Sequence, residues 1–173
     1  MIFVVLLAAS LAVSAGNCAA SNSKKQPSSV TDEIRHTLIT LPWYGVFDEL
    51  AFTMDSSGNV TLTGEVTQPV LKFDAESAVK HLAGVGKVIN QIEVLPLSSF
   101  DASIRWATYR AIFSRPGFEK YAVQAISPIR IIVKNGNVTL DGFIGNPVDK
   151  QMADMAARSV PGVFSVTDNL KIG

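Results

Sequence analysis

Apolar and glycine positions along the chain recur at one fixed spacing. The stretch Gly-Asn-Val-Thr-Leu-Thr-Gly at 58–64 returns as Gly-Asn-Val-Thr-Leu-Asp-Gly at 136–142, which is 78 positions later. The shift then holds without a gap to the end of the chain, where Val94 falls on Ile172. Matches of this kind at a single period indicate a duplicated structural unit. Two copies are too few for a solenoid, so the sequence predicts two small domains in tandem.

Hydrophobic periodicity predicts the same element order in both copies. A strand–helix–strand unit with short connections implies a parallel, right-handed crossover. In the first copy the pattern predicts a helix capped by Thr31 or Asp32 and ended by Pro42, followed by strands at 50–54 and 59–62 that pair as a hairpin. A second helix begins at Pro69, and a strand follows at 88–95. The predicted buried side of this second helix consists of Val70, Phe73, Ala78, Val79 and Leu82.

The second copy repeats this order with a tighter hairpin turn. The predicted elements are a helix capped by Asp101 and running to about Phe113, strands at 129–133 and 138–140, a helix at 147–160 and a closing strand at 163–172. The fold class is therefore α+β, with helix–strand–strand–helix–strand in each copy. Each copy forms a small mixed three-stranded sheet covered by two helices.

Paired glycines punctuate both copies. They bound strands or end helices, and no Lys-Ser/Thr follows them, so a structural role explains them better than a phosphate-binding loop does. These structural glycines are Gly58, Gly64, Gly84, Gly136, Gly142 and Gly162.

The N-terminal segment has the features of an export signal. The apolar run 2–13 is too short to span a bilayer comfortably and is followed by small residues, although no Lys or Arg precedes it. The predicted division is a signal peptide at 1–20, a polar linker at 21–29, and domains at 30–96 and 97–173. The expected location is the periplasm, with a membrane anchor as the alternative if the segment is retained or lipidated at Cys18.

The chain offers little for chemistry. It has one cysteine and two histidines, His36 and His81, and neither histidine has a suitably spaced acidic or cysteine partner. No disulfide within the chain is possible, and no catalytic residue, metal site or cofactor is predicted.

The repeated motif resembles a known family. The pattern Gly-Asn-Val-Thr-Leu-x-Gly, helix, Gly-Val, Val-x-Asn-x-Ile/Leu is similar to the BON domain, named for bacterial osmotically induced and nodulation proteins. Two such copies behind an export signal resemble the dual-BON periplasmic proteins, including the osmotically induced type. The resemblance implies an α+β fold, no catalytic residues, and binding, usually suggested to be of phospholipid membranes.

Charge separates the two copies. Residues 30–96 hold nine acidic and four basic side chains, net −5, whereas residues 97–173 hold six acidic and nine basic ones, net +3. A basic surface attracts anionic partners, at about 1 kcal/mol per Lys or Arg near an anionic bilayer. The second copy is therefore the predicted contact.

One helix sharpens this prediction. At about 100° per residue, Trp106, Tyr109 and Phe113 form a stripe opposite the predicted buried face. Arginines flank it at 105 and 110, and another follows at 115. Aromatic rings edged by arginines suit a bilayer interface. The hypothetical lipid-binding set is Arg105, Trp106, Tyr109, Arg110, Phe113 and Arg115. Packing between the two domains and contact with a protein partner remain open alternatives for the same stripe.

The sequence thus predicts an exported, non-enzymatic protein that associates peripherally with anionic phospholipid membrane, in envelope maintenance or stress protection. The alternative is a periplasmic adaptor that binds an envelope protein, or an osmotic-stress protective factor, with no direct lipid contact. Nucleic acid is not an expected partner of an exported protein.

Overall fold

A computed structural model describes residues 27–173. The predicted signal peptide, Cys18 and the start of the predicted linker lie outside the described residues. In the first domain the elements are α1 (Pro27–Ile39), β1 (Glu49–Met54), β2 (Val60–Val66), α2 (Pro69–Lys80), β3 (Val88–Asn90) and β4 (Glu93–Val94).

The second domain repeats this order and adds one short helix. Its elements are α3 (Ser99–Phe113), α4 (Glu119–Ala122), β5 (Ile129–Lys134), β6 (Asn137–Ile144), α5 (Pro147–Arg158), β7 (Ser165–Asp168) and β8 (Lys171–Ile172). The α+β prediction of two tandem helix–strand–strand–helix–strand units is confirmed. The extra helix α4 was not predicted, since four residues are too few to show a period.

Both sheets are mixed. β1 pairs antiparallel with β2, and β3 and β4 both run parallel to β2. The second sheet has the same order, with β5 antiparallel to β6 and β7 and β8 parallel to it. The crossover from the central strand through a helix back to a parallel strand is as the sequence predicts.

The closing strand of each copy is broken, where the sequence predicts one continuous strand. The Asn90 side chain accepts a hydrogen bond from Ile92 N at 3.1 Å. Asp168, which occupies the equivalent position, accepts one from Leu170 N at 3.0 Å. A short polar side chain that binds the backbone two residues on offers an alternative to the strand ladder. The break therefore recurs because both copies carry such a residue.

Three local predictions are wrong. Helix α1 begins at Pro27, before the proposed caps Thr31 and Asp32. In α3 the N-cap is Ser98, whose side chain accepts from Asp101 N. On α2 the buried residues are Leu71, Ala75 and Val79, so Val79 is buried as predicted, whereas the predicted Val70 and Phe73 are exposed. The predicted buried face of α2 is turned away from the observed one, because Val70 and Phe73 also fit a helical spacing of apolar residues next to Leu71.

Asp101 has a different task from capping. Its carboxylate is buried and accepts hydrogen bonds from Asn135 N at 2.9 Å and Gly136 N at 2.8 Å. These amides form the two-residue turn of the second hairpin, where both residues have positive φ. A charged acceptor for two backbone donors is a strong interaction. Asp101 therefore fastens the β5–β6 turn to helix α3.

Two of the glycines lie in the central strands β2 and β6, opposite the first residues of their hairpin partners β1 and β5. Gly64 has φ +123°, and a Cβ there would lie 2.1 Å from Glu49 O. Gly142 has φ +115°, and its Cβ would lie 2.0 Å from Pro128 O. Both glycines are inside the central strands rather than after them, because β2 and β6 extend further than predicted. No side chain fits at either position.

Candidate functional site

The predicted aromatic stripe exists on α3 as a row of touching rings. Ring centroids are 5.8 Å apart between Trp106 and Tyr109 and 4.7 Å apart between Tyr109 and Phe113. Exposure falls steadily along the row: Trp106 is 54% exposed, Tyr109 is partly buried and Phe113 is 8% exposed. The row thus runs from the surface into the core of the second domain.

A residue of the first domain covers part of this row. The Phe47 ring meets Trp106 edge-on at 4.9 Å and Tyr109 at 6.2 Å. Edge-to-face aromatic pairs contribute about 0.5–1.5 kcal/mol beyond the area that they bury. The stripe therefore lies at the boundary between the domains, and Trp106 keeps one face open.

The three arginines have different surroundings. Arg105 is 8% exposed and donates from Nη2 to Val133 O at 2.9 Å. Its burial lowers the pKa of the guanidinium, against the opposing effect of Asp101 and Asp48. Arg110 is exposed, and Arg115, which is partly buried, donates from Nε to Ala111 O at 3.2 Å. Arg110 and Arg115 are thus the cations of this set that remain near the surface.

The segment from 44 to 48, here called the covering segment, lies on the outer edge of strand β5. Ile131 N donates to Val46 O at 2.8 Å. Arg130 donates from Nη1 to Gly45 O at 3.1 Å, and its guanidinium carbon lies 4.5 Å from the centre of the Tyr44 ring. An apolar edge strand exposes unpaired backbone groups unless something covers it. Here the first domain does so.

Asp48 fixes the shape of the covering segment. Its carboxylate is buried and accepts hydrogen bonds from Gly45 N at 3.1 Å and from Thr67 N and Oγ1 at 2.7 and 2.8 Å. Because these bonds tie the segment to the end of β2, the first domain holds the segment in place against the second domain.

The outer face of the first sheet carries a row of glutamates, here called the acidic row. Glu49 is the register partner of Glu65, and Glu65 is the partner of Glu93. Like charges directly opposite one another destabilise a sheet. Lys134 of the second domain reaches across, with its Nζ 2.7 Å from Glu93 and 3.6 Å from Glu65. Some of the acidic side chains of the first domain therefore form ion pairs with a basic side chain of the second domain.

Glu49, at the end of the acidic row, is partly buried beside the second domain. Burial raises the pKa of its carboxyl to about 7, with a further rise from Asp141, while Arg130 and Lys171 act in the opposite direction. All three of those residues belong to the second domain. The ionised form of Glu49 is therefore disfavoured where the domains meet.

Sequence reasoning missed the first-domain half of this boundary. Residues 43–47 read Trp-Tyr-Gly-Val-Phe, a run rich in aromatics of which the sequence reasoning considers only Trp43, as the first-copy counterpart of the stripe on α3. Three rings within five residues outside any helix or strand is a signal that could have marked a contact surface. The acidic row could not be found, since it depends on the strand register.

Some kinds of site are missing from the part of the chain that the structure describes. Between residues 27 and 173, no group of three or more His, Cys, Asp or Glu side chains is placed to hold a metal ion. Over the same residues, no helix combines the length and apolar character that a membrane span requires.

Comparison with protein families decides what the repeat is. The model of the BON domain matches residues 40–96 and again residues 118–173. The chain belongs to the BON domain family. It carries two BON domains in tandem, as the repeated motif predicts. BON domains are associated with phospholipid binding and with envelope and osmotic-stress proteins, and the family is generally non-enzymatic.

Comparisons with individual proteins add little to the family assignment. No curated protein matches the chain. Among solved structures, the chain is similar to the C-terminal domain of CdsD, a structural protein of the type III secretion system of Chlamydia trachomatis. The two chains are 13% identical with a TM-score of 0.31, and the match covers 82% of this chain and 96% of the CdsD chain. A second CdsD structure has 13% identity and a TM-score of 0.32, with 83% and 93% covered.

Proposed function

We propose that this dual-BON protein is an exported, non-enzymatic protein that binds the surface of anionic phospholipid membranes through helix α3. The observation that carries the proposal is the open face of Trp106 next to the exposed Arg110. An indole at headgroup level with a guanidinium beside it suits the bilayer interface. Arg115, one turn beyond, adds a second cation at the end of the helix.

The other members of the predicted set support this contact from beneath. Tyr109 and Phe113 continue the aromatic row into the core, and Arg105 binds β5. With one exposed ring and two cations, binding is weak, reversible and sensitive to salt, since exposed charges are screened beyond about 8 Å at physiological ionic strength. In this proposal the first domain presents the helix, because Phe47 holds Trp106 in place.

Tryptophan fluorescence tests the proposal. Trp43→Phe leaves Trp106 as the only indole, and vesicles of phosphatidylcholine with or without phosphatidylglycerol are titrated in. We expect a blue shift and co-sedimentation with anionic vesicles only, reversed by salt. Arg110→Gln should weaken this binding about fivefold, because one arginine near an anionic surface contributes about 1 kcal/mol.

Arg35→Gln is the matched control. Arg35 is an exposed arginine on α1 that pairs with Asp32 at 2.9 Å, and its loss removes the same charge from the first domain. Equal weakening by both variants would mean that only net charge matters. If Trp106 does not respond to anionic vesicles at all, the membrane contact is refuted, and the open face of Trp106 would be assigned to a protein partner in the envelope.

A further inference from the structure

A cleft opens between the two domains, beside the covering segment. Its volume is about 200 Å³. The first domain contributes Ile39 and Tyr44 to its walls, and the second contributes Tyr109, Phe113 and Ile126. Aromatic and aliphatic side chains form part of the lining, together with Gln124, Ser127 and Arg130. The cleft is thus a partly apolar site that exists only where both domains meet.

One charged side chain lines the cleft. Arg130 is 7% exposed, and its guanidinium carbon lies 4.5 Å from the centre of the Tyr44 ring. Within residues 27–173 its only hydrogen bond is the one from Nη1 to Gly45 O, and no carboxylate lies within ion-pair distance. The Tyr44 ring offsets part of the cost of burying this cation, and the donors of Arg130 that make no hydrogen bond within residues 27–173 are free for an anionic group.

Nearby acidic groups compensate this charge only in part. Asp141 is the register partner of Arg130 on β6, and Glu49 on strand β1 of the first domain interacts electrostatically with Arg130. The pKa of Glu49 is raised to about 7, so near neutral pH its carboxyl is ionised only in part. Glu49 is on the first sheet and Asp141 on the second, and neither is among the residues that line the cleft. An anion in the cleft would therefore meet Arg130 without a competing carboxylate among the lining residues.

The volume limits what can enter. About 200 Å³ equals the liquid volume of about seven water molecules, at roughly 30 Å³ each. Sites for drug-sized ligands span about 300–1,000 Å³. A whole phospholipid is far too large, whereas an acidic group attached to one ring or a short alkyl chain fits.

We propose that this interdomain cleft binds a small amphiphilic anion, with its carboxylate, phosphate or sulfonate on the free N–H groups of Arg130 and its apolar part against Tyr109 and Phe113. The cleft shares Tyr109 and Phe113 with the aromatic row, but its binding does not depend on the proposed bilayer contact at Trp106 and Arg110. The same chemistry is offered by a free short-chain acid and by a lipid headgroup with the first carbons of its chains, and the experiment distinguishes these two sources.

The test uses the purified protein and isothermal titration calorimetry with hexyl phosphate, hexanol and inorganic phosphate. We expect hexyl phosphate to bind more tightly than either of the other two, because only it satisfies both the cation and the apolar wall. Arg130→Met keeps the length of the side chain and removes the charge, and it should weaken hexyl phosphate binding about tenfold or more.

Two further variants keep the result interpretable. Ala125→Phe places a ring in the cleft from an exposed position in its lining and should block binding even if Arg130→Met fails to fold. Arg110→Met should leave hexyl phosphate binding unchanged while weakening attachment to anionic vesicles. Unchanged hexyl phosphate binding in Arg110→Met would show that the cleft binds independently of the membrane contact, and weaker vesicle attachment in the same variant would support the membrane contact.

The outcomes decide both the site and its source. Binding of hexyl phosphate that depends on Arg130 and is blocked by Ala125→Phe supports a site for a free amphiphile. If hexyl phosphate does not bind but Arg130→Met and Ala125→Phe both weaken vesicle attachment, the anion is a lipid headgroup. Equal binding of hexanol and hexyl phosphate, or no effect of either variant on any probe, overturns the proposal.

Discussion

Replacing Glu49 by Gln tests whether the acidic row is held against the second domain as described. The side chain of Glu49 makes no hydrogen bond within residues 27–173, so glutamine loses no partner there and removes only the charge. Glu49 lies opposite Glu65 in the sheet and beside Asp141 of the second domain. We therefore expect Glu49→Gln to stabilise the protein, and to do so only where Glu49 would be ionised.

The magnitude and the pH window follow from the pKa. Folding raises the pKa of Glu49 from 4.5 to about 7. The folded state binds this proton more tightly than the unfolded state does. The protonated carboxyl of Glu49 therefore contributes its full stability below pH 4.5, and this contribution is lost as the pH rises through 7. The full difference corresponds to about 3 kcal/mol, at 1.36 kcal/mol per pKa unit. Glu49 is only partly buried, so solvent screening reduces the expected gain to about 1–2 kcal/mol at pH 8.

Thermal unfolding at pH 4.5 and at pH 8 measures this effect. In a chain of this size 1 kcal/mol moves the Tm by about 2–4 °C, so Glu49→Gln should raise the Tm by about 3–6 °C at pH 8 and by little at pH 4.5. Asp74→Asn makes the same change of charge on α2, at a carboxylate with no hydrogen bond or ion pair between residues 27 and 173. An equal gain from Asp74→Asn, or a gain from Glu49→Gln that does not grow with pH, would refute the reasoning.

Three further substitutions test other parts of the structure. Gly142→Ala should lower the free energy of unfolding in urea by about 3 kcal/mol or more, because its Cβ would lie 2.0 Å from Pro128 O. Gly117→Ala is the control: Gly117 has φ +88° but nothing within 4 Å of its Cβ position, so this variant should lose about 1 kcal/mol. Asp101→Ala leaves two turn amides unsatisfied and should cost about 2–4 kcal/mol; a loss under 1 kcal/mol would contradict that role. Phe47→Ala should cost about 1–3 kcal/mol and shift Trp106 emission to the red in a Trp43→Phe background; an unchanged spectrum would show that Phe47 does not shield the indole.

Element type and order could be predicted from the sequence because they depend on local periodicity and on the repeat. The errors arose where tertiary partners decide. Leu71 rather than Phe73 is buried on α2, a choice that depends on which face of the helix meets the sheet. Asp101 has the position of an N-cap in the sequence, but the hairpin turn 34 residues later takes its carboxylate. The broken closing strand was predictable in principle, since Asn90 and Asp168 are residues that bind nearby backbone.

The candidate site was predicted only on the α3 side. A helical stripe of Trp106, Tyr109 and Phe113 is visible at a spacing of three to four residues, but the depth of each ring is not. Phe113 and Arg105 are buried because β5 and its neighbours reach them, and Phe47 meets the stripe from 59 residues upstream of Trp106. Contacts between two copies of one unit leave no trace in the period of either copy.

The covering segment gives the tandem array a direction. Matching the two hairpins by register places Ala51 and Thr53 of β1 where β5 has Arg130 and Ile132. The second copy has only Val, Gln, Ala, Ile and Ser at 123–127, the stretch that precedes its own first strand. If the order of the two copies were exchanged, the copy with the β5 edge would come first in the chain and the copy with the covering segment would follow it. The duplication has thus become asymmetric, and neither copy can take the place of the other.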